Sequence, residues 1–361
     1  MSSTAEGILP AQAIEAMALA GAVRAARPFD HDQIQPASLD LRAGTVAIRV
    51  RASFLPGRGA TVAQRLEQLR LHEIDLSNGA VLETGCVYIV PLLESLALPA
   101  DVTANANPKS STGRLDIFTR IITDRAQEFD SVPAGYTGPL YLEVSPRTFP
   151  IVMRTGSRLS QIRFRRGRAR LTDDDLRAMQ ADHALVDGTA QIDNGLVLSI
   201  DLGQPQGEIV GYRAKRHTGV IDVDARGAQE LLDFWDPIVA RGRGELILDP
   251  DQFYILVSRE AVHVPPDYAA EMVPFDPLVG EFRVHYAGFF DPGFGHSATG
   301  GGGSRAVMEV RSHEVPFILE HGQIVCRLVY ERMAERPKFL YGAGIGSNYQ
   351  AQGLKLSKHF R

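Results

Sequence analysis

Along most of the chain, apolar side chains come in short runs of Val, Ile, Leu and Tyr with partial alternation, and only rarely at helical spacing. Period two puts successive side chains on opposite faces of a strand. The runs are broken by turn-forming clusters such as Leu76-Ser77-Asn78-Gly79, Arg154-Thr155-Gly156 and Asp291-Pro292-Gly293-Phe294-Gly295. This texture predicts antiparallel sheets and a mostly β fold with a few short helices. Helical periodicity is confined to residues 11–25, 63–71, 172–185 and 228–239. Thr172 and the acids Asp173, Asp174 and Asp175 supply a cap and a first turn for the third helix.

The pattern repeats. The run CVYIVPLLESLALPADV from Cys86 recurs as QFYILVSREAVHVPPDY from Gln252, an offset of 166 residues. The same offset puts Tyr88 on Tyr254, Asp101 on Asp267, Leu142-Glu143-Val144 on Met308-Glu309-Val310, and Gly156 on Gly322. A fixed offset across separated segments means duplication. The expected organisation is a first copy over residues 1–185, including a joining helix at 172–185, a second copy over 186–340, and a C-terminal tail at 341–361. The second copy carries an insertion, GHSATGGGGS at 295–304, whose four consecutive glycines are expected to form a mobile loop. No Gly-Lys-Ser/Thr follows it, which argues against a phosphate-cradling loop.

With 44% hydrophobic and 22% charged residues, 361 residues are enough for two cores. The net charge of −5 creates no field that would gather nucleic acid or an anionic membrane, so an anionic substrate must be met by local charge. The one basic run, residues 163–170, is short and interleaved with a strand, and it reads as a solvated edge or a contact to an acidic neighbour rather than an RNA site. Cys86 and Cys326 lie 240 positions apart in apolar runs and read as inert buried thiols, and the ten histidines form no paired ligand motif, so no catalytic metal is expected. No apolar stretch approaches a membrane span and no leader pattern opens the chain, so a cytoplasmic location without a membrane partner is expected.

Three segments could carry chemistry. Lys109-Ser110-Ser111-Thr112-Gly113-Arg114 offers two adjacent hydroxyls, backbone N–H groups and a guanidinium that can surround phosphate oxygens, although the same residues can form a plain turn. Glu143 lies on a strand beside apolar residues. In a closed cleft, desolvation would raise its pKa and make it a proton shuttle near neutral pH; on an open face it would simply be solvated. The polar, aromatic-punctuated tail at 346–357 could be a frayed end or a lid.

In order along the chain, these residues resemble the dCTP deaminase branch of the dUTPase superfamily. Gln35-Pro36-Ala37-Ser38-Leu39-Asp40-Leu41-Arg42 resembles that family's early P-A-S-x-D-L-R strand, and Leu98-Pro99-Ala100-Asp101 its L-P-x-D turn. Residues 109–114 resemble its R-S-S-x-x-R phosphate motif, and Gly135-Tyr136-Thr137-Gly138 its D-P-G-[WFY]-x-G turn. Leu142-Glu143 resembles the strand of the catalytic glutamate, and Tyr349-Gln350-Ala351-Gln352-Gly353 the tail motif.

The resemblance implies tandem dUTPase-like barrels of β-clip or jelly-roll type, a homo-oligomer with sites between subunits, and metal-free hydrolytic deamination of dCTP to dUTP and ammonia. Mg²⁺ would be present only as a companion of the triphosphate. It implies Glu143 as general base, Ser110 and Arg114 in the catalytic and phosphate site, and Lys109, Ser111, Arg125, Tyr349, Gln350 and Gln352 in substrate binding. The family's Lys before the tail Tyr is Asn348 here, which removes a phosphate charge. Glu309 is retained, but its copy lacks a Ser-Ser-x-x-Arg motif, which implies one working site per chain in the first copy, closed by the tail. Val220-Ile221-Asp222-Val223-Asp224-Ala225-Arg226-Gly227 echoes a dUTPase stretch, but it lies upstream of where the repeat would put it and reads as chance. The alternatives are a dUTP pyrophosphatase or bifunctional enzyme on the same fold, and a catalytically silent nucleotide-binding regulator.

Overall fold

The repeat is visible strand by strand in the computed structural model, which describes residues 5–274, 282–284, 288–297, 302–312, 314–342 and 353–361. In the first copy the strand Thr137–Pro146 pairs antiparallel with Val87–Ala97, so that Glu143 faces Ile89 and Val144 faces Tyr88. In the second copy Ser304–Ser312 pairs with Phe253–Val262, with Glu309 opposite Ile255 and Val310 opposite Tyr254. A second ladder also repeats. Val102–Pro108 runs against Ser160–Arg166 from Val102↔Arg166 to Pro108↔Ser160, and Tyr268–Pro274 runs against Ile324–Arg332 from Tyr268↔Arg332 to Pro274↔Cys326. Even a side-chain detail recurs: the Tyr88 hydroxyl accepts from the Glu83 N–H at 3.1 Å and the Tyr254 hydroxyl from the Asp249 N–H at 2.9 Å. Register is therefore conserved to the residue at the 166 offset, as period-two burial demands when a one-residue slip would turn every core side chain outward.

The mostly β expectation holds, and the helices are short. Ala11–Leu19 and Val62–Leu69 fall within or near the expected segments, and Asp173–His183 is capped by a reciprocal Thr172–Asp175 box. The helix expected at 228–239 is a correction. Only Leu231–Phe234 forms a turn, and Trp235–Val239 is a strand paired with Ile209–Ala214. Pro237 disfavours the α region for Asp236, and the fully buried Trp235 is drawn into an aromatic cluster with Phe149 of the first copy, Phe253 of the second and Phe360 near the chain end.

This cluster shows how the copies are joined. One hydrophobic core contains first-copy residues such as Leu142 and Ile162 together with Trp235, Phe253, Ile255, Val307 and Leu356. The strand Ile221–Asp222 also pairs in parallel with Ile151–Met153 of the first copy. The basic run beginning at Arg163 meets acidic neighbours: Arg163, 2% exposed, lies 3.3 Å from Asp291 and 3.5 Å from Glu331. Among the described residues no helix is long and apolar enough to cross a membrane.

Candidate active site

Because the copies share a core, the surfaces beside it face each other across a cavity of about 340 Å³. One wall is the phosphate-like motif. After the strand Val102–Pro108 the chain turns through the short helix Ser110–Gly113, held down by the Lys109 N–H and the Thr112 hydroxyl, which both donate to the Leu159 carbonyl at 2.9 and 2.7 Å. Lys109, Ser110, Ser111, Gly113 and Arg114 line the cavity. Asp40, from the early Asp-Leu-Arg motif, lies beneath them, ion-paired to Lys109 and 3.6 Å from Arg158.

The opposite wall belongs to the second copy. Val307 and Glu309 alternate on their strand and both reach the cavity, while Met308 between them packs into the second core. Glu309 is 4% exposed. Burial pushes its carboxyl up to about 7, against the opposing pull of the Arg114 guanidinium. Phe289, Phe290, Asp291 and Phe294 complete this wall with Tyr341, and the Phe290 and Phe294 rings meet edge to face at 4.9 Å.

Arg163 of the first copy fixes that turn. Its guanidinium donates to the Ala270 and Phe290 carbonyls at 3.0 and 3.3 Å and stacks over Phe289 at 4.1 Å. Asp291 is buried, and that burial pushes its carboxyl up from the usual range, against the opposing pull of Arg163. Gly295 closes the turn at φ +65°, where a Cβ would lie 2.2 Å from the Val262 carbonyl oxygen, so the close approach excludes any side chain.

A third side is made by Val223, Asp224 and Arg226. They are held by Arg154, which donates to Asp222 through both terminal nitrogens at 2.7 Å and to Asp224 at 2.7 Å. The end of the chain returns to the same place. The Arg114 guanidinium donates to the Lys355 carbonyl at 2.9 Å, the Ser357 hydroxyl to the Ser111 carbonyl at 2.8 Å, and Lys358 lines the cavity.

Of the sequence-predicted site residues, the structure therefore brings together Lys109, Ser110, Ser111 and Arg114. Glu143 does not line this cavity. It is 1% exposed, and one carboxylate oxygen accepts from Arg120 Nη2 at 2.6 Å and Nε at 3.0 Å. Arg120 is stacked in turn on Phe129 at 3.5 Å. Arg125 is exposed on a loop, at φ 61°, and also lies away from the cavity. Tyr349, Gln350 and Gln352, with the Asn348 substitution, lie outside the described residues.

Three further cavity contributions have signals in the sequence. Asp291-Pro292-Gly293-Phe294 matches the D-P-G-[WFY] turn more closely than Gly135-Tyr136 does. Glu309 is the counterpart of Glu143 at the 166 offset, and the phosphate-type motif its own copy lacks faces it from the other copy. The Val220–Gly227 stretch, with its echo of a dUTPase motif, supplies three cavity residues.

Known proteins match the chain in both of its copies. Residues 5–168 match the family model described as the 2'-deoxycytidine 5'-triphosphate deaminase N-terminal domain, and residues 172–360 its C-terminal domain. A crystal structure of 2'-deoxycytidine 5'-triphosphate deaminase from Agrobacterium tumefaciens superposes with a TM-score of 0.88 at 66% identity, covering 92% of this chain and all of that one. Proteins named "dCTP deaminase, dUMP-forming" are also similar. The one from Beutenbergia cavernae is 31% identical over 141 residues, 38% of this chain and 68% of its own, and the one from Parafrankia is 33% identical over 153 residues, 41% and 71%. With both copies matched in order and the whole fold shared, the chain belongs to the 2'-deoxycytidine 5'-triphosphate deaminase family.

Proposed function

We propose that the chain deaminates dCTP to dUTP and ammonia in one composite site, with the first copy binding phosphate and Glu309 of the second copy acting as the general base. The observation that carries this reading is the shared cavity: residues 109–114 and Glu309, 195 or more positions apart, line the same space. A carboxyl pushed up to about 7 is poised to accept and return protons near neutral pH. Glu309 takes a proton from water as the water oxygen bonds to C4 of cytosine. Proton transfers through Glu309 to the ring N3 and the amino nitrogen then let ammonia leave and the uracil carbonyl form. Ser110, Ser111 and Arg114 hold the phosphates through hydroxyl and charge-assisted contacts. Mg²⁺ arrives with the triphosphate, held by phosphate oxygens and water.

This moves the general base from Glu143 to Glu309. Ammonia release by Glu309→Gln and Glu143→Gln variants tests it directly: the first should be inactive and the second active. The reverse pattern returns the base to Glu143.

A second reading is favoured by one observation. Asp224 and Arg226 lie at the cavity within a stretch that echoes a dUTPase motif, and similar proteins carry the name "dUMP-forming". In this reading the dUTP is hydrolysed further to dUMP and pyrophosphate. Product analysis decides it: dUTP accumulating in step with ammonia supports simple deamination, and dUMP with pyrophosphate supports the bifunctional reaction.

A further inference from the structure

We propose that Lys358, three residues from the chain end, binds the polyphosphate of the substrate and so helps the enzyme select triphosphate over the bare nucleoside. The inference rests on reading the cavity as the dCTP site.

The terminal residues are firmly placed. Leu356 is in the first core, and the Phe360 ring packs 5.5 Å from Phe234 and 5.9 Å from Trp235. The backbone is stitched to residues 227–231: the Gly227 N–H donates to the Lys358 carbonyl at 3.0 Å, the Gln229 N–H to the His359 carbonyl at 3.1 Å, and the Arg361 N–H to the Gln229 carbonyl at 3.0 Å. His359 is buried, with its ring nitrogens 2.9 Å from the Ser357 hydroxyl and 2.9 Å from the Val223 carbonyl. Lys358 is thus presented to the cavity by a rigid segment that also touches the phosphate motif through Ser357 and Ser111.

Its surroundings suit an anion. Lys109, Arg114, Arg158 and Arg226 line the same cavity, together with the carboxyls of Asp32, Asp40, Asp224, Asp291 and Glu309. Asp40 is engaged by Lys109 and Arg158, Asp32 by Arg158, and Asp224 by Arg154. Asp291 and Glu309 are both pushed toward the neutral form by burial. Burial and the neighbouring Lys109 and Arg226 push the Lys358 ammonium down to about 8, with Asp40 and Asp224 opposing. An incoming polyphosphate relieves that crowding of like charges.

The test uses the full-length protein and three readouts: KM and kcat for dCTP, inhibition by inorganic tripolyphosphate, and inhibition by deoxycytidine. For Lys358→Gln, the dCTP KM and the tripolyphosphate inhibition constant should each rise about tenfold or more. Neither kcat nor the deoxycytidine constant should move more than about twofold, and Lys358→Arg should restore affinity for both phosphorylated compounds. Unchanged tripolyphosphate inhibition, an equal loss for deoxycytidine, or no rescue by arginine would each overturn the proposal while leaving the site itself intact. If wild-type enzyme is not inhibited competitively by tripolyphosphate, or if Glu309→Gln stays active, it is the reading of the cavity that fails.

Discussion

Glu143 and Glu309 occupy the same register position in two copies of one sheet, each opposite an isoleucine and each almost fully buried, yet their surroundings have diverged. Around Glu309 lie a cavity, a guanidinium acting through space, and a phosphate-type motif contributed by the other copy. Around Glu143 lie Arg120 in direct contact, the rings of Phe118 and Phe129, and an apolar cluster that includes Val62 and Leu66 of the helix Val62–Leu69. Its second oxygen, Oε2, is buried with no hydrogen-bond partner among the described residues. A carboxylate whose oxygen is taken up by a guanidinium in direct contact has no open side toward a substrate, whereas one that is desolvated and left facing space can serve as a base. In the reading proposed above, the same backbone geometry carries an ion pair in one copy and the general base in the other, and the facing surface makes the difference.

The sharpest way to break this comparison is to remove each carboxylate in turn. Glu309→Gln should lower kcat by roughly 10²–10⁴ because the amide cannot accept a proton, while Glu143→Gln should keep kcat within about threefold and lose about 1–3 kcal/mol of stability as Arg120 loses its charged acceptor. Steady-state ammonia release and chemical denaturation read the two effects separately.

Next in size is the bond between the copies. Arg163→Ala removes the guanidinium beside buried Asp291 and the nearer of the two arginines paired with Glu331, and breaking such a buried pair costs about 3–5 kcal/mol. Because Arg163 also holds the Phe290 carbonyl, activity should fall under conditions where circular dichroism shows the protein still folded. Full activity in the folded variant would separate the 289–295 turn from the site.

Arg114→Ala should weaken dCTP binding by about 1.5–3 kcal/mol and deoxycytidine binding much less, since the charge-assisted contact exists only with phosphate present. Equal weakening of both ligands would take Arg114 out of phosphate binding.

A change that alters neither contacts nor ligands is read in stability against pH. Unfolded, Glu309 ionises near its ordinary value of about 4.3; folded, it ionises at about 7. Between these values the native state keeps a proton that the unfolded chain has released, so the contribution of this group to stability is intact below the lower value and is lost as pH rises through the higher one. Glu309→Gln should therefore raise Tm relative to wild type at pH 8 and leave it nearly unchanged at pH 4. A Tm difference that does not vary with pH would mean that Glu309 is not held protonated by burial.

Much of the fold was legible because strand periodicity and a fixed offset are local properties. Tyr88 and Tyr254, or Glu143 and Glu309, can be matched by counting alone. The motif at 109–114 was legible for the same reason, being contiguous. Which glutamate faces it was not, because that depends on how two copies pack, and the offset makes the two glutamates look interchangeable. The contributions of Val223, Asp224 and Arg226 were hidden in the same way: they reach the site only because Ile221–Asp222 crosses to pair with the first copy. At 228–239 the apolar spacing looked helical, but Pro237 and the demand of Trp235 for an aromatic pocket settled it as a strand.

The central claim is that phosphate motif and base meet within a single chain, and it is tested most directly by mixing. Arg114→Ala and Glu309→Gln chains should be coexpressed, purified as mixed assemblies and assayed for ammonia release at a dCTP concentration well below the KM of the Arg114→Ala enzyme, where each variant alone is nearly silent. If the site is built in one chain, every chain in the mixture lacks one half and activity stays at the level of the single variants. Recovery to an appreciable fraction of wild-type turnover would mean that the two halves are supplied by different chains, contrary to the arrangement described above.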